Sequence, residues 1–274
     1  VGSEMCIRDS RRSVLGQWTI RIVVAAMIVT GTYLVIENQT YTSVATADSH
    51  KKDTEDSNQY IAFSDGVIRY SRDGVVFLNK KNKEKWIQPC QIQNPIVDVN
   101  EDVFAIADVG GNTIMIFQKS GLKGEIETTL PIEKISVSNQ GIVSAILKNE
   151  STPQIISYDA VGNILVEHQV NLNSTGYPIS LDMSADGENL MVSYLSTKNG
   201  TLKSMVAFYN FGKEGQEKTD NLIYTEDFDQ TVVPDVFYMD ASTSVAVGDK
   251  SFVIYGYEVR EKENRSEAES GDTQ

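Results

Sequence analysis

Hydrophobic residues follow two unlike patterns along this chain. From Trp18 to Ile36 they are continuous, reading WTIRIVVAAMIVTGTYLVI with Arg21 the single charge. A helix of about 20 apolar residues crosses about 30 Å of hydrocarbon, and this run lacks the polar face of a surface helix, so it predicts one transmembrane helix. From Tyr60 onward the pattern becomes short β-branched and aromatic runs, separated roughly every 8–12 residues by Asp-Gly, Ser-Gly, Val-Gly or Asn-Gly turns. No segment there holds a 3.6-residue period over a helical length. The expectation is an all-β domain.

The runs recur as a unit of two hairpins. In the first hairpin Val97-Asp98-Val99 turns into Val103-Phe104-Ala105-Ile106-Ala107, and Ile135-Ser136-Val137 turns into Ile142 to Ile146. Leu181-Asp182-Met183 leads likewise to Leu190-Met191-Val192, and Val236-Phe237-Tyr238 to Val245-Ala246-Val247. In the second hairpin the inner strand carries aromatics, as in Thr113 to Phe117, Gln154 to Tyr158, Met205 to Tyr209 and Ser251 to Tyr255. A less complete unit precedes them, with Val67 to Tyr70, Val75 to Leu78 and Trp86. The intervals bracket the roughly 40–50 residues of a four-stranded blade. They predict a β-propeller-like repeat domain of about five blades, with a two-sheet sandwich as the rival architecture.

Arg11 and Arg12 precede the apolar run and Glu37 follows it, which by the positive-inside rule puts the N-terminus in the cytoplasm and the rest outside the cell membrane. A cleaved signal peptide is the competing reading, because Ala45-Thr46-Ala47 has the small-x-small form, although it lies far beyond the apolar run. Met5-Cys6-Ile7-Arg8-Asp9-Ser10 matches the translation of a transposon-type sequencing adapter. The expected organisation is therefore an adapter artefact over 1–10, a cytoplasmic flank and transmembrane helix over 11–36, a flexible stalk over 37–59, the propeller-like domain over 60–257 and a disordered, charged tail over 258–274.

The net charge of −14 repels nucleic acid and anionic headgroups, so neither is an expected partner. With two cysteines there is no disulfide framework, and Cys90 reads as a small, partly buried hydrophobe. The chain has two histidines, His50 in the stalk and His168 among strands; His-based zinc sites and Ser-His-Asp or Cys-His catalysis lack their parts. His168 reads as a surface strand residue. Gly110-Gly111-Asn112 reads as a hairpin turn, lacking the following helix of a phosphate loop. No catalytic, cofactor-binding or metal-ligating residue is assigned, and no cofactor is expected.

Carboxylates are the abundant functional groups. Glu101, Asp102 and Asp108 gather near one blade edge, and Glu226, Asp227 and Asp229 surround Phe228. Such acids read first as solvated loops, and the rings of Tyr194, Phe208, Tyr209, Tyr224, Phe228 and Tyr238, at strand spacing, read first as core; the alternative is that rings and acids together offer a binding face. The candidate face is Tyr224, Glu226, Asp227, Phe228 and Asp229.

Tyr70-Ser71-Arg72-Asp73-Gly74, Asn94-Pro95-Ile96-Val97-Asp98-Val99, the segment from Gly121 through Pro131-Ile132 into Ile135-Ser136-Val137-Ser138, and Val206-Ala207-Phe208-Tyr209-Asn210-Phe211-Gly212 together resemble a bacterial family of membrane-anchored ectodomains, domain-of-unknown-function family 5711. The resemblance covers about Tyr60 to Tyr255. It implies a single-pass anchor and a propeller-like exterior, no known activity and no known catalytic residues. It also implies a longer C-terminal part than this chain carries, hence a ring left incomplete. Ser184-Ala185-Asp186-Gly187 is similar to the Ser-Pro-Asp-Gly turn of periplasmic propeller repeats. The expected function is a non-enzymatic extracytoplasmic module that binds or scaffolds an envelope protein or glycan. The alternatives are a carboxylate-dependent hydrolase of envelope glycans or peptides, marked by two facing acids with one raised pKa, and a ligand sensor.

Overall fold

The computed structural model describes residues 4–37, 58–149, 152–198 and 200–256. Nearly all of the expected stalk, and the tail over 258–274, lie outside the described residues. The chain divides into two compact units, one holding the N-terminal helix and one holding all the strands.

Helix α1 spans Glu4–Glu37, and its stretch Trp18–Ile36, with mean hydropathy 2.0, is long and apolar enough to cross a membrane. The two threonines late in that stretch cause no polar break. Thr30 donates to the Ala26 carbonyl at 2.8 Å and Thr32 to Ile28 at 2.9 Å, so both hydroxyls are satisfied by their own helix. The Arg21 guanidinium lies 6.0 Å from the Trp18 ring, directed back toward the helix start.

The second unit is all-β and propeller-like, with five antiparallel meanders in chain order. Blade 1 holds β1 (Gln59–Phe63), β2 (Gly66–Ser71), β3 (Gly74–Asn79) and β4 (Glu84–Pro89). Blade 2 holds β5 (Pro95–Asn100), β6 (Val103–Asp108), β7 (Thr113–Gln118) and β8 (Gly121–Glu127). Blade 3 holds β9 (Ile132–Val137), β10 (Val143–Leu147), β11 (Gln154–Tyr158) and β12 (Ile164–Gln169). Blade 4 holds β13 (Tyr177–Met183), β14 (Asn189–Lys198), β15 (Thr201–Asn210) and β16 (Leu222–Asp229). Blade 5 has three strands among the described residues, β17 (Asp235–Tyr238), β18 (Thr243–Val247) and β19 (Phe252–Gly256). A one-turn helix α2 (Lys213–Gln216) and a 3-10 turn at Thr219–Asn221 fill the long connection inside blade 4.

Period-2 alternation gives each blade two faces, and four apolar layers lie between successive blades. Phe63, Ile68 and Phe77 of blade 1 meet Phe104, Ile106 and Phe117 of blade 2. Ile114, Ile116 and Ile126 meet Ile135, Val137 and Val143 of blade 3, while Ile146 and Ile155 meet Leu190, Val192 and Tyr209 of blade 4. Met191, Val206 and Phe208 close onto Val236 and Ala246 of blade 5. The Ser184-Ala185-Asp186-Gly187 turn is held by its own side chains: Ser184 Oγ accepts the Asn189 N–H at 2.9 Å and Asp186 Oδ1 accepts that of Glu188 at 2.9 Å.

Outer strands also seat on neighbouring turns. A Cβ on Gly124 of β8 would stand 1.7 Å from the Ala160 carbonyl oxygen of blade 3, a main-chain atom that cannot rotate away. Gly124→Ala is therefore expected to destabilise by about 1–3 kcal/mol through forced separation of blades 2 and 3. An unchanged urea midpoint for this variant would contradict the close approach.

Candidate functional site

The first strands of blades 2 to 5, β5, β9, β13 and β17, stand next to one another around the propeller axis. On each, the middle residue of the recurring apolar triple occupies the corresponding place: Asp98, Ser136, Asp182 and Phe237. Polar atoms at these positions link strand to strand. Asp98 Oδ2 accepts the Val137 N–H at 2.6 Å. Ser136 donates to Asp182 Oδ1 at 2.8 Å and accepts the Met183 N–H at 3.0 Å. Asp182 Oδ2 accepts the Tyr238 N–H at 2.6 Å, and Ser180 donates to Asp235 at 3.2 Å. Side-chain bonds thus join β5 to β9, β9 to β13 and β13 to β17, where no backbone ladder runs.

Burial pushes the Asp182 carboxyl up to about 6, and the neighbouring Asp98 adds to the rise; the bonds from Tyr238 and Ser136 pull the other way. Burial raises Asp98 as well, against the pull of the Val137 N–H. Asp98, Asp182 and Phe237 line two cavities, of about 390 and 500 Å³, and so stand where the two meet. Lys134 and Asp235 add charges to the first cavity, Glu101 and Asp240 to the second. The pair can hold a proton near neutrality. Both oxygens of Asp182 are already engaged in joining strands, which leaves this acid poorly placed to attack a substrate. Among the described residues no three His, Cys, Asp or Glu side chains converge as metal ligands.

Blade 5 packs one face on blade 4 through Val236, Ala246 and Tyr255. Its opposite face carries Phe237, Phe252 and Ile254, which are 38, 66 and 58% exposed, beside Met239 at 64%. Registers place Phe237 beside Val245 and Val245 beside Ile254, so these side chains form one apolar surface. Among the described residues no strand pairs with the outer edge of β19.

A model of the family DUF5711, described as a family of unknown function, matches residues 37–271. The chain belongs to DUF5711. No curated protein matches it in sequence. The strand-bearing part of this DUF5711 chain is similar to the WD40 domain of Neurospora crassa Pan2, at 14% identity and a TM-score of 0.47, covering 69% of this chain and 57% of that one. It is also similar to Kluyveromyces lactis Hsv2, at 9% identity and a TM-score of 0.48, covering 69% and 64%. BBS1N, solved in complex with ARL6DN, shares 13% identity and a TM-score of 0.49, covering 73% and 64%. The DUF5711 chain spans about three fifths of the length of these solved chains.

The five residues marked on β16 are divided by the strand's alternation. Glu226 and Phe228 turn toward blade 5: Glu226 accepts the Tyr255 hydroxyl at 2.7 Å, and Phe228 packs on the layer around Phe208. Tyr224 shares that side, 5.8 Å from Phe208, and remains exposed. Asp227 and Asp229 point the other way, toward Lys203 at 2.9 and 3.5 Å. Both acids are well exposed, and such pairs add little stability. Of the other marked aromatics, Tyr194, Phe208 and Tyr209 are core and Tyr238 is half-buried. Two findings depart from the sequence reading. His168 is buried rather than on the surface, because the aromatic wall of blade 4 covers it. The axial acids Asp98 and Asp182 were not marked, although an aspartate between two apolar strand residues is the signal that betrays them.

Proposed function

We propose that this chain is a membrane-tethered, extracytoplasmic binding and scaffold module that docks an envelope protein on the open face of blade 5. The observation that carries this reading is the exposed apolar surface of Phe237, Phe252 and Ile254, with exposed Met239 close by in the chain, beside an edge of β19 that no described strand pairs. Exposed apolar surface of this kind marks interaction sites. A partner strand laid along β19 would gain main-chain hydrogen bonds from the edge and side-chain contacts from Phe252 and Ile254. The anchor fits the same reading, with Arg11 and Arg12 on the cytoplasmic side and the Trp18–Ile36 helix in the cell membrane. A hydrolytic reading would rest on Asp98 and Asp182, and the engaged oxygens of Asp182 weigh against it.

A photo-crosslinking residue placed at position 254 of the full chain in living cells is expected to give one adduct of discrete mass. Phe252→Asp should reduce its yield at least about fivefold, as loss of a central aromatic anchor does. The same probe at Val161, a still more exposed apolar position in a blade 3 turn, should give no such adduct. Adducts at position 254 that map to residues 257–274, or to a second copy of the chain, would overturn the partner reading.

A further inference from the structure

Blades 1 and 2 part at the start of their first strands. Strands β5, β9, β13 and β17 stand side by side around the axis, whereas β1 does not take the corresponding place against β5. The opening is a cavity of about 690 Å³, lined by Gln59 at the start of β1, by Tyr70 to Arg72 where β2 ends, and by Gln93 to Ile96 where β5 begins. Ile96 also lines the axial cavity of about 390 Å³, so the two adjoin.

Both walls are held by main-chain bonds. The Ile92 N–H donates to the Arg72 carbonyl at 2.9 Å and the Cys90 N–H to that of Asp73 at 3.2 Å, which ties the connection between the blades to the turn after β2. The Asn94 N–H donates to Asp108 Oδ1 at 2.7 Å, and its carbonyl accepts the Val109 N–H at 3.0 Å. The backbone of Asn94 is thus engaged in blade 2, and its carboxamide is left over. The Tyr70 hydroxyl donates to Gln59 Oε1 at 2.8 Å, which fixes that carboxamide with its amide hydrogens still to give. Gln59, Arg72, Gln93 and Asn94 are all exposed, so a ligand reaches each of them. Among the described residues the side chains of Arg72, Gln93 and Asn94 have no hydrogen-bond or ionic partner.

The charge of this cavity is opposite to that of its neighbours. Asp98 and Asp182 line both axial cavities, with Asp235 in one and Asp240 in the other. Here the lining holds the Arg72 cation and no carboxylate. In a chain of net charge −14 the general field repels anions, so an anion that binds must be held by local contacts.

We infer that this cavity binds the carboxylate end of a short peptide. Arg72 pairs with the carboxylate, for which the guanidinium fork is the matched partner. The carboxamides of Gln59, Gln93 and Asn94 carry donor and acceptor on one group, as peptide units do, and pair with the main chain of the ligand. The Tyr70 ring, Pro95 and Ile96 offer half-buried apolar surface to a small side chain. The volume falls in the range of small-molecule sites. Blades 1 and 2 alone form the site, which does not rest on docking at blade 5.

Saturation-transfer NMR of the full chain in micelles, titrated with N-acetyl-alanyl-alanine in its L,L and D,D forms, tests this. At least one form is expected to bind saturably, with half-saturation on the order of 1 mM. Its C-terminal amide should bind about three- to fivefold more weakly, and Arg72→Gln should bring the acid down to the level of the amide. Arg72 is exposed in a turn and makes no described side-chain bond, so this variant keeps the fold. Lys148→Gln, the same loss of charge at an exposed position of blade 3, should leave the affinity unchanged. Asn94→Ala should weaken acid and amide alike, by about fivefold. Absence of saturable binding by both forms overturns the inference. So does equal binding of acid and amide, or undiminished binding by Arg72→Gln. Inorganic phosphate that displaces the peptide at equal concentration would mean a bare anion site and overturn the peptide assignment.

Discussion

Phe104→Ala is expected to destabilise the full chain by about 3–5 kcal/mol, the range for removing a buried aromatic ring. Phe104 is wholly buried at the centre of an aromatic group drawn from two blades. Its ring stacks on Phe117 at 4.8 Å and 7° and meets the edge of Phe63 at 4.9 Å. Trp86 stacks on Phe117 at 5.3 Å, lies parallel to Phe104 at 6.3 Å, and donates its indole N–H to the Lys119 carbonyl at 3.1 Å. Phe63 and Trp86 belong to blade 1, Phe104 and Phe117 to blade 2, so one truncation weakens the junction between them. Each well-placed ring pair contributes about 0.5–1.5 kcal/mol beyond area burial, and alanine would forfeit several at once. Phe104→Leu retains much of the volume and should lose clearly less. Urea unfolding of the full chain in micelles measures both. A loss below about 1 kcal/mol for the alanine variant, well under the usual range, would mean that blades 1 and 2 are held together by something else.

How much of this was legible beforehand follows from what period-2 alternation records. The triples at 97–99, 135–137, 181–183 and 236–238 could be aligned because each first strand repeats one apolar-x-apolar motif before a turn. That alignment carried the blade count, and the structure has five sheets, the last with three strands among the described residues. Strand-internal aromatics were legible as core for the same reason, since Phe208 and Tyr209 sit between apolar neighbours.

Clusters of like residues were legible only as neighbours in sequence. Glu226 and Asp227 are adjacent in the chain yet face opposite sides of β16, one toward Tyr255 and the other toward Lys203. His168 misled for a different reason. Its flanking residues, Glu167 and Gln169, are polar, so its own strand looks like a surface strand; what buries it is Tyr209 and Phe211, some forty residues further on. The functional surfaces of a repeat fold arise between repeats. Neither the Asp98–Ser136–Asp182 linkage nor the cavity between blades 1 and 2 is contained in any single unit.

Between pH 4 and pH 7 the unfolding free energy should fall through Asp182 by about 3 kcal/mol, roughly 2 pKa units at 1.36 kcal/mol each. Its folded value of about 6 stands above the ordinary 3.8. The folded state therefore binds more protons than the unfolded state, so the contribution is full below the unfolded pKa and is lost as pH rises through the folded one. Asp98, raised by the same burial, acts with the same sign. His168 opposes them, because its folded pKa is lowered from 6.5 and it stabilises the fold as pH rises through that window. Asp65, Asp159 and Asp240, all lowered, act only below about pH 4. A wild-type curve alone mixes these contributions, whereas its difference from Asp182→Asn at each pH removes His168 and leaves the axial acid. Asparagine keeps an oxygen for the Tyr238 N–H and carries no charge, so the variant should gain on the wild type steadily from pH 4.5 to 7. The urea midpoint of the full chain measures this. A difference that is flat across the interval, or that favours the wild type as pH rises, would mean that Asp182 is ionised in the fold without penalty. The propeller axis would then be wetter than its hydrogen bonds indicate.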